Sequence, residues 1–133
     1  MKKIAYVIAL LLSFSIITSS CKKKQGCTDA TAINFDASAE QNNNSCIYKG
    51  NVTFWNDVAS SLGYVTVTMA DGTTGVITAD YSSAPSCGAS RCFNYSNVPG
   101  TYSYTAVEAA PGLHTWSGSV AITSDGCVTV RLY

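Results

Sequence analysis

The side chains with the chemistry for redox, metal or acid–base work are six cysteines, one histidine and eight carboxylates in 133 residues. The single histidine, His114, follows a Pro-Gly turn signal and precedes Trp116 by two residues. A Ser-His-Asp site would need other strands to bring an acid and a nucleophile to it. No Cys-x-x-Cys or His-x-x-x-His spacing predicts a metal site. We therefore interpret His114 as a satisfied or exposed strand histidine.

Carboxylate pairs for glycoside hydrolysis would have to come from the acidic residues beyond residue 50. Asp57, Asp71 and Asp125 lie in predicted turns, where aspartate is expected for backbone reasons. Asp80 and Glu108 are the remaining two. The sequence therefore favours a protein without catalytic activity and without a cofactor, and a small hydrolase is the least favoured function.

Aromatic rings aligned on a sheet can bind sugars by stacking. Trp55, Tyr64, Tyr81 and Tyr133 could lie on the solvent face of a sheet. The alternative is that they are core residues or cross-strand pairs. A surface glycan-binding protein therefore stays open as the second function, and a row of exposed rings on one sheet face would be its structural signature.

The N-terminus has the order of a secretory signal peptide: a basic start, an uncharged apolar run over 4–17, small residues, then Cys21. It resembles a bacterial lipoprotein signal, although Thr18 stands where that family usually has Leu. The resemblance implies a signal peptide over 1–20, acylation of Cys21 and a lipidated tether over 21–26. It places the protein in the cell envelope, in the outer membrane. The alternative is an uncleaved membrane anchor over 4–20.

Cysteines in an exported chain predict disulfides. Cys27 and Cys46 bracket one short stretch and are expected to pair with each other. Among the other three the sequence favours Cys87–Cys127, with Cys92 free, because this bridge would join a long loop to the last strand. Closing about 40 residues would contribute up to roughly 4 kcal/mol. The pairs Cys87–Cys92 and Cys92–Cys127 stay open as alternatives.

The stretch over 27–48 is rich in turn-forming Asn and Asp. It contains Gly-Cys-Thr-Asp over 26–29, Asn-Phe-Asp over 34–36 and Ser-Cys over 45–46, and so resembles a cysteine-bracketed module of exported Bacteroidota proteins. Some relatives resemble calcium-binding loops. Calcium needs six to eight converging oxygens, and Gln41–Asn44 replaces the acidic turn of the pattern, which favours turn capping. The weak calcium candidates are Asp29, Asn34, Asp36 and Glu40.

Beyond residue 50 apolar and polar residues alternate, which predicts half-buried strands in antiparallel sheets. The predicted fold class is all-β: a seven-stranded antiparallel β-sandwich over 50–133, preceded by the loop module and the signal peptide. The strands are expected near 51–56, 63–69, 74–81, 91–97, 101–108, 114–122 and 126–132.

The segment over 93–104, with Pro99-Gly100-Thr101-Tyr102 at its centre, resembles a hairpin of prealbumin-like, carboxypeptidase-regulatory-type sandwiches. The residues over 63–77 are similar to that family's early strand, turn and strand. The resemblance implies this fold and an accessory, non-catalytic role.

The distribution of basic residues limits the classes of partner that the sequence allows. Arg91 and Arg131 are the only basic side chains beyond Lys49, so no basic patch is available there for nucleic acid. The leading hypothesis is a non-enzymatic envelope lipoprotein whose sandwich is a structural or interaction module. Its expected partners are the membrane, through the lipid on Cys21, and an envelope protein or glycan.

Overall fold

The computed structural model describes residues 22–58, 63–109 and 114–133. These residues form an all-β, sandwich-like fold without an α-helix, so none of the described segments is a helix that could cross a membrane. The strands are β1 (Gln25–Gly26), β2 (Gln41–Asn42), β3 (Gly50–Asp57), β4 (Val65–Met69), β5 (Thr74–Ile77), β6 (Asp80–Tyr81), β7 (Phe93–Asn97), β8 (Gly100–Glu108), β9 (Thr115–Ile122) and β10 (Cys127–Leu132).

Two four-stranded sheets enclose the core. In the first sheet β3 is central, with β10 on one side and both β6 and β7 on the other. The second sheet has the order β5-β4-β8-β9. Alternate residues of each strand point inward because successive strand side chains face opposite sides. The core residues are Val52, Phe54, Val65, Val67, Met69, Ile77, Phe93, Tyr95, Ala106, Val120, Ile122 and Leu132.

Strand β3 is buried on both of its faces. Val52 and Phe54 point into the core, whereas Thr53 and Trp55 point outward yet are 0% and 5% exposed. A strand between two neighbours and under a covering segment requires an almost continuous buried run. The sequence predicted this strand correctly but gave it one solvent face.

The prediction of a purely antiparallel sandwich is wrong in the first sheet. Strand β10 runs parallel to β3, from the pair Cys127 and Asn51 to the pair Leu132 and Asn56. Strand β6 is also parallel to β3, whereas β7 is antiparallel to it. Alternation reports which side chains are packed, and it carries no information about the direction of the neighbouring strand.

The predicted third strand over 74–81 is two strands in different sheets. Strand β5 pairs with β4 in the second sheet, and β6 pairs with β3 in the first. Between them the Thr78 N–H donates to the Arg91 carbonyl rather than to a strand of the second sheet. The sequence pattern did not reveal the crossing because Ile77, Ala79 and Tyr81 keep the same alternation through it.

The expected hairpin at Pro99-Gly100 is a crossover between the sheets. Strand β7 belongs to the sheet of β3, and β8 belongs to the sheet of β4 and β9. The Tyr102 hydroxyl donates to the Val98 carbonyl across the bend at 2.9 Å. The other predicted turn, at Asp71-Gly72, does close a hairpin between β4 and β5, with Gly72 at φ 86°. Glycine adopts that left-handed conformation without a steric penalty.

Both favoured disulfide pairings are present. Cys27 bonds Cys46 with their Cα atoms 4.9 Å apart, and Cys87 bonds Cys127 at 6.1 Å. Cys92 is free and half-buried, and burial raises the pKa of its thiol. The second bridge joins the loop after β6 to the first residue of β10.

Candidate functional site

The outward side of the second sheet, here called the open face, is uncharged and rich in hydroxyls. In β4, β5, β8 and β9 burial alternates, so every second side chain points to solvent. Glu108 is the only charged residue in these four strands, and it is buried on the inner side. The open face consists of Thr66, Thr68, Thr74, Val76, Thr101, Ser103, Thr105, Val107, Thr115, Ser117, Ser119 and Ala121.

The strand register arranges these hydroxyls in rows. Thr68 lies opposite Thr74 on one side and opposite Thr105 on the other, and Thr105 lies opposite Ser117. Four hydroxyl residues therefore cross all four strands in one line, about 4.8 Å apart. The neighbouring row has Thr66 between two exposed valines. Donors and acceptors thus alternate with small apolar groups on this surface.

Two shallow concavities lie along β4. The larger, about 230 Å³, is lined by residues 68–70 of β4 and the following turn and by residues 103–105 of β8. The smaller, about 140 Å³, is lined by Gly63, Tyr64, Thr78, Ala79 and Asp80. Tyr64 is 61% exposed and precedes β4, and its carbonyl accepts from the Ala109 N–H. Tyr64 and Asp80 therefore line the smaller concavity. The larger one is lined by side chains from both sides of the sheet: Thr68, Ser103 and Thr105 from the outward side and Met69 and Tyr104 from the inner side.

The outward side of the first sheet, here called the covered face, is overlaid by the loop between β6 and β7. The Cys87–Cys127 bridge attaches this loop to β10. The Gly88 N–H donates to Thr53 Oγ1 at 3.0 Å, and Thr53 Oγ1 donates to Asn94 Oδ1 at 2.6 Å. Two outward side chains of β3, Thr53 and Trp55, are buried on this face, whereas the outward Asn51 is exposed.

The four aromatic candidates for a sugar platform are not brought together. Trp55 is 5% exposed, which agrees with the alternative of a buried residue rather than a ring on the solvent face. Tyr81 is half-buried, and its hydroxyl donates to the Ser90 carbonyl. Tyr64 is at the edge of the open face, and Tyr133 is exposed with the Arg131 guanidinium 4.4 Å from its ring centre. The predicted candidates do not form one aromatic row.

His114 forms a pair with Glu108 that the sequence analysis did not find. Its Nδ1 lies 2.7 Å from Glu108 Oε2, and Glu108 Oε1 accepts from the Gly63 N–H at 3.0 Å. These hydrogen bonds, the Gly63 one first, hold the pKa of Glu108 below its ordinary value. The imidazole itself is exposed, as expected, and its ring centre lies 6.0 Å from that of Trp116.

A register argument could have found this pair. The two residues flank the predicted Pro-Gly turn, and an antiparallel hairpin places residue 108 opposite 114 once residue 107 is opposite 115. The arrangement gives a carboxylate that orients an imidazole, which is a structural link between the ends of β8 and β9.

The other acidic candidates serve the backbone or an ion pair. Asp57 bonds Arg131 at 3.1 Å. Asp71 accepts from the Thr73 N–H and from the Tyr95 hydroxyl, both at 2.9 Å, and these bonds lower its pKa. Asp125 has φ 54° in the turn before β10. Asp80 is exposed beside the smaller concavity.

The weak calcium candidates act within the loop module. Asp29 accepts from the Thr31 N–H at 2.9 Å and from the Tyr48 hydroxyl at 2.8 Å. Asn34 donates to the Ser45 carbonyl and accepts from the Ile47 N–H. Within the part of the chain that the structure describes, no group of three His, Cys, Asp or Glu side chains is arranged to hold a metal ion.

The segment expected to be a tether is partly folded. Strand β1, at Gln25–Gly26, pairs with β2, and the Lys24 carbonyl accepts from the N–H groups of Glu40 and Gln41. Lys24 Nζ also bonds Asp36 at 2.9 Å, and hydrogen bonds from Ser38 and then Lys24 lower the pKa of Asp36 to about 2. The side chain of Glu40 is exposed. Cys21 and the predicted signal peptide lie outside the described residues.

Comparison with models of known protein families, with curated proteins and with solved structures finds no match to this chain. The resemblances to a lipoprotein signal, to a Bacteroidota module and to a prealbumin-like sandwich therefore stay predictions that rest on the residues quoted for them. The open face is consequently the feature on which a functional proposal has to be built.

Proposed function

We propose that this protein is a lipid-anchored lipoprotein of the cell envelope, expected in the outer membrane, whose β-sandwich is a non-catalytic interaction module. The observation that carries the proposal is the contrast between the two outward sides of the sandwich. On the covered face a disulfide-bonded loop contacts the central strand, where Thr53 and Trp55 are buried, whereas on the open face the outward side chains of all four strands are exposed or half-buried. The two disulfides fit a small domain in an oxidising compartment.

The anchor would hold the loop module close to the membrane. Lys24 already takes part in the module's hydrogen bonds, so only Lys22 and Lys23 would separate it from an acylated Cys21. Three extended residues reach about 10 Å, and both lysines would lie among phospholipid headgroups. The Tyr48 N–H donates to Ser124 Oγ at 2.9 Å, which connects the module to the turn before β10.

Acylation is tested by growing cells that express the full chain with alkyne-tagged palmitate and separating soluble from membrane fractions. We expect label and membrane location for the wild type, and neither acylation nor signal cleavage for Cys21→Ala. Cys92→Ala is the matched control, because it removes a free cysteine that takes no part in the anchor. Equal labelling of Cys21→Ala and wild type would overturn the lipoprotein proposal.

A further inference from the structure

We propose that the open face binds an uncharged polysaccharide, which would lie along β4 and β8. This inference rests on the proposed function in one respect, namely that the sandwich is an interaction module. It differs from the aromatic platform considered from the sequence, because the contacts come from the Ser and Thr rows of the second sheet.

The charge distribution selects a neutral partner. A charged ligand that lost water on this face would find no counter-charge in the four strands, and uncompensated desolvation of a charge is costly. Asp80, which lines the smaller concavity, would repel an anionic chain and can accept hydrogen bonds from sugar hydroxyls. A neutral, hydroxyl-rich ligand meets neither penalty.

The hydroxyl row supplies the matching hydrogen-bond chemistry. Each Ser or Thr hydroxyl donates one hydrogen bond and accepts others, as sugar hydroxyls do. Thr68 and Thr105 are cross-strand neighbours on this side of the sheet, and both line the larger concavity together with Ser103. The exposed methyl groups of Val76 and Val107 lie in the next row, where they can meet the C–H faces of sugar rings.

The spacing of the two concavities favours a chain over a single sugar. Tyr64 in the smaller concavity and Thr68 in the larger are four residues apart, which is about 13 Å along a strand. One sugar ring cannot contact both, whereas an oligosaccharide segment can. Tyr64 would then contribute the one aromatic stacking surface at the end of this path.

The same surface is poorly suited to a protein partner. Protein interfaces are enriched in aromatic residues, Met and Arg, and their binding energy is concentrated in large buried anchors. Among the described outward residues of the open face and its edge, Tyr64 is the only side chain of that kind. Met69 and Tyr104, which also line the larger concavity, pack into the core. Lysine and arginine, which an anionic membrane would attract, do not occur in the four strands.

The test uses the full chain purified in detergent and measures its retention on neutral polysaccharides: β-glucan, α-glucan, xylan, mannan and chitin. Polygalacturonate and heparin serve as charged comparisons. We expect retention on at least one neutral polymer and none on the charged ones. Rising salt should leave retention unchanged, because screening acts on charges.

Two variants locate the binding surface. Thr68→Val combined with Thr105→Val keeps the shape and removes two hydroxyls, which should weaken binding about tenfold. Thr105→Glu places a charge in the centre of the row and should abolish retention. Thr129→Glu is the matched control, since Thr129 is an exposed, outward residue of β10 in the other sheet. It should bind as the wild type does.

Failure to bind any of the neutral polymers would overturn the proposal, as would equal losses for Thr105→Glu and Thr129→Glu. Salt-sensitive retention on the charged polymers would also contradict the proposal. It would be contradicted as well if Thr105→Glu changed the oligomeric state of the protein without changing its retention on the neutral polymer. The assay does not depend on acylation. A protein that carries no lipid but binds the polymer would contradict the anchor alone, and an acylated protein that binds none would contradict this inference alone.

Discussion

The two outward sides of this sandwich differ in what lies over them. On the covered face, Thr53 of β3 is completely buried and hydrogen-bonded to Gly88 and Asn94. On the open face, Thr105 of β8 occupies an equivalent outward position and is exposed. A side chain that stabilises the fold on one side is thus available for binding on the other, and the covering loop makes the difference.

The comparison also separates stability from function. The covering loop is attached by a disulfide that joins residues 40 apart in sequence, and such long-range links restrict the unfolded chain most. The open face has only its strand ladders and its small side chains. We therefore expect substitutions on the covered face to lower the free energy of unfolding and substitutions on the open face to leave it almost unchanged.

The largest effect is expected for Trp55→Ala. Trp55 is 5% exposed on the outward side of β3, and truncating a buried Trp of this kind destabilises by about 3–5 kcal/mol. Denaturant unfolding monitored by circular dichroism measures the change. Tyr133→Ala, which removes a ring that is 73% exposed, is the control and should have a small effect. Equal stabilities of the two variants would show that burial of Trp55 does not stabilise the covered face.

The next effect is expected when Cys87 and Cys127 are both changed to Ala. The bridge attaches the covering loop to β10, and its loss should cost about 2–4 kcal/mol and expose the loop to proteolysis. Thermal unfolding and limited digestion measure the two consequences. Cys92→Ala keeps both bridges and should retain wild-type protease resistance. An unbridged variant with unchanged melting and digestion would contradict the assigned role of the loop.

The two faces are compared most directly by making the same Thr-to-Val substitution on each of them. Thr53→Val removes two hydrogen bonds of a buried hydroxyl and should destabilise by about 1–3 kcal/mol. Thr105→Val changes an exposed hydroxyl and should stay within about 0.5 kcal/mol of wild type. Paired denaturant titrations give both values. Similar values at the two positions would mean that the faces do not differ in the way described.

The alternation of apolar and polar residues predicted the strands and the side chains that each of them turns toward the core. Eight of the ten described strands form the sandwich-like fold, and the open face follows from Thr66, Thr68 and their partners in β8 and β9, which alternate with core residues. Alternation could not give the direction of β10, nor the crossing between Ile77 and Asp80, because both depend on which strands become neighbours. For Trp55 the sequence left both a solvent-facing and a buried position open, because burial of an outward side chain depends on segments far away in the chain; the structure has it buried.

The candidate site was predictable only in part. The pairing of Cys87 with Cys127 could be favoured from the positions of a long loop and a final strand, and the structure has it. The hydroxyl row was not anticipated, since Ser and Thr are so abundant that single residues attract no attention. Only the register, which sets Thr68 against Thr74 and Thr105, turns these common residues into a line across the sheet.

The smallest effect concerns the pair of Glu108 and His114 at the end of the second sheet. Glu108 accepts hydrogen bonds from Gly63 and His114, which hold its pKa below the ordinary value of 4.5. A carboxylate with a lowered folded-state pKa stabilises fully above its unfolded value, and this contribution is lost as the pH falls through the folded value. The melting temperature of the wild type should therefore fall more steeply below pH 4.5 than that of Glu108→Gln.

Because the aspartates of the covered face and the module titrate in both proteins, their contributions cancel in the difference between the two curves. Glu40→Gln is the matched control, since Glu40 is an exposed residue of the loop module, and its curve should follow that of the wild type. Parallel curves for Glu108→Gln and wild type would mean that the link between β8 and β9 carries no stability. If the melting temperatures of wild type and Glu108→Gln become equal only at acid pH, the hydrogen bonds of Glu108 make a small, pH-dependent contribution to stability at this end of the second sheet.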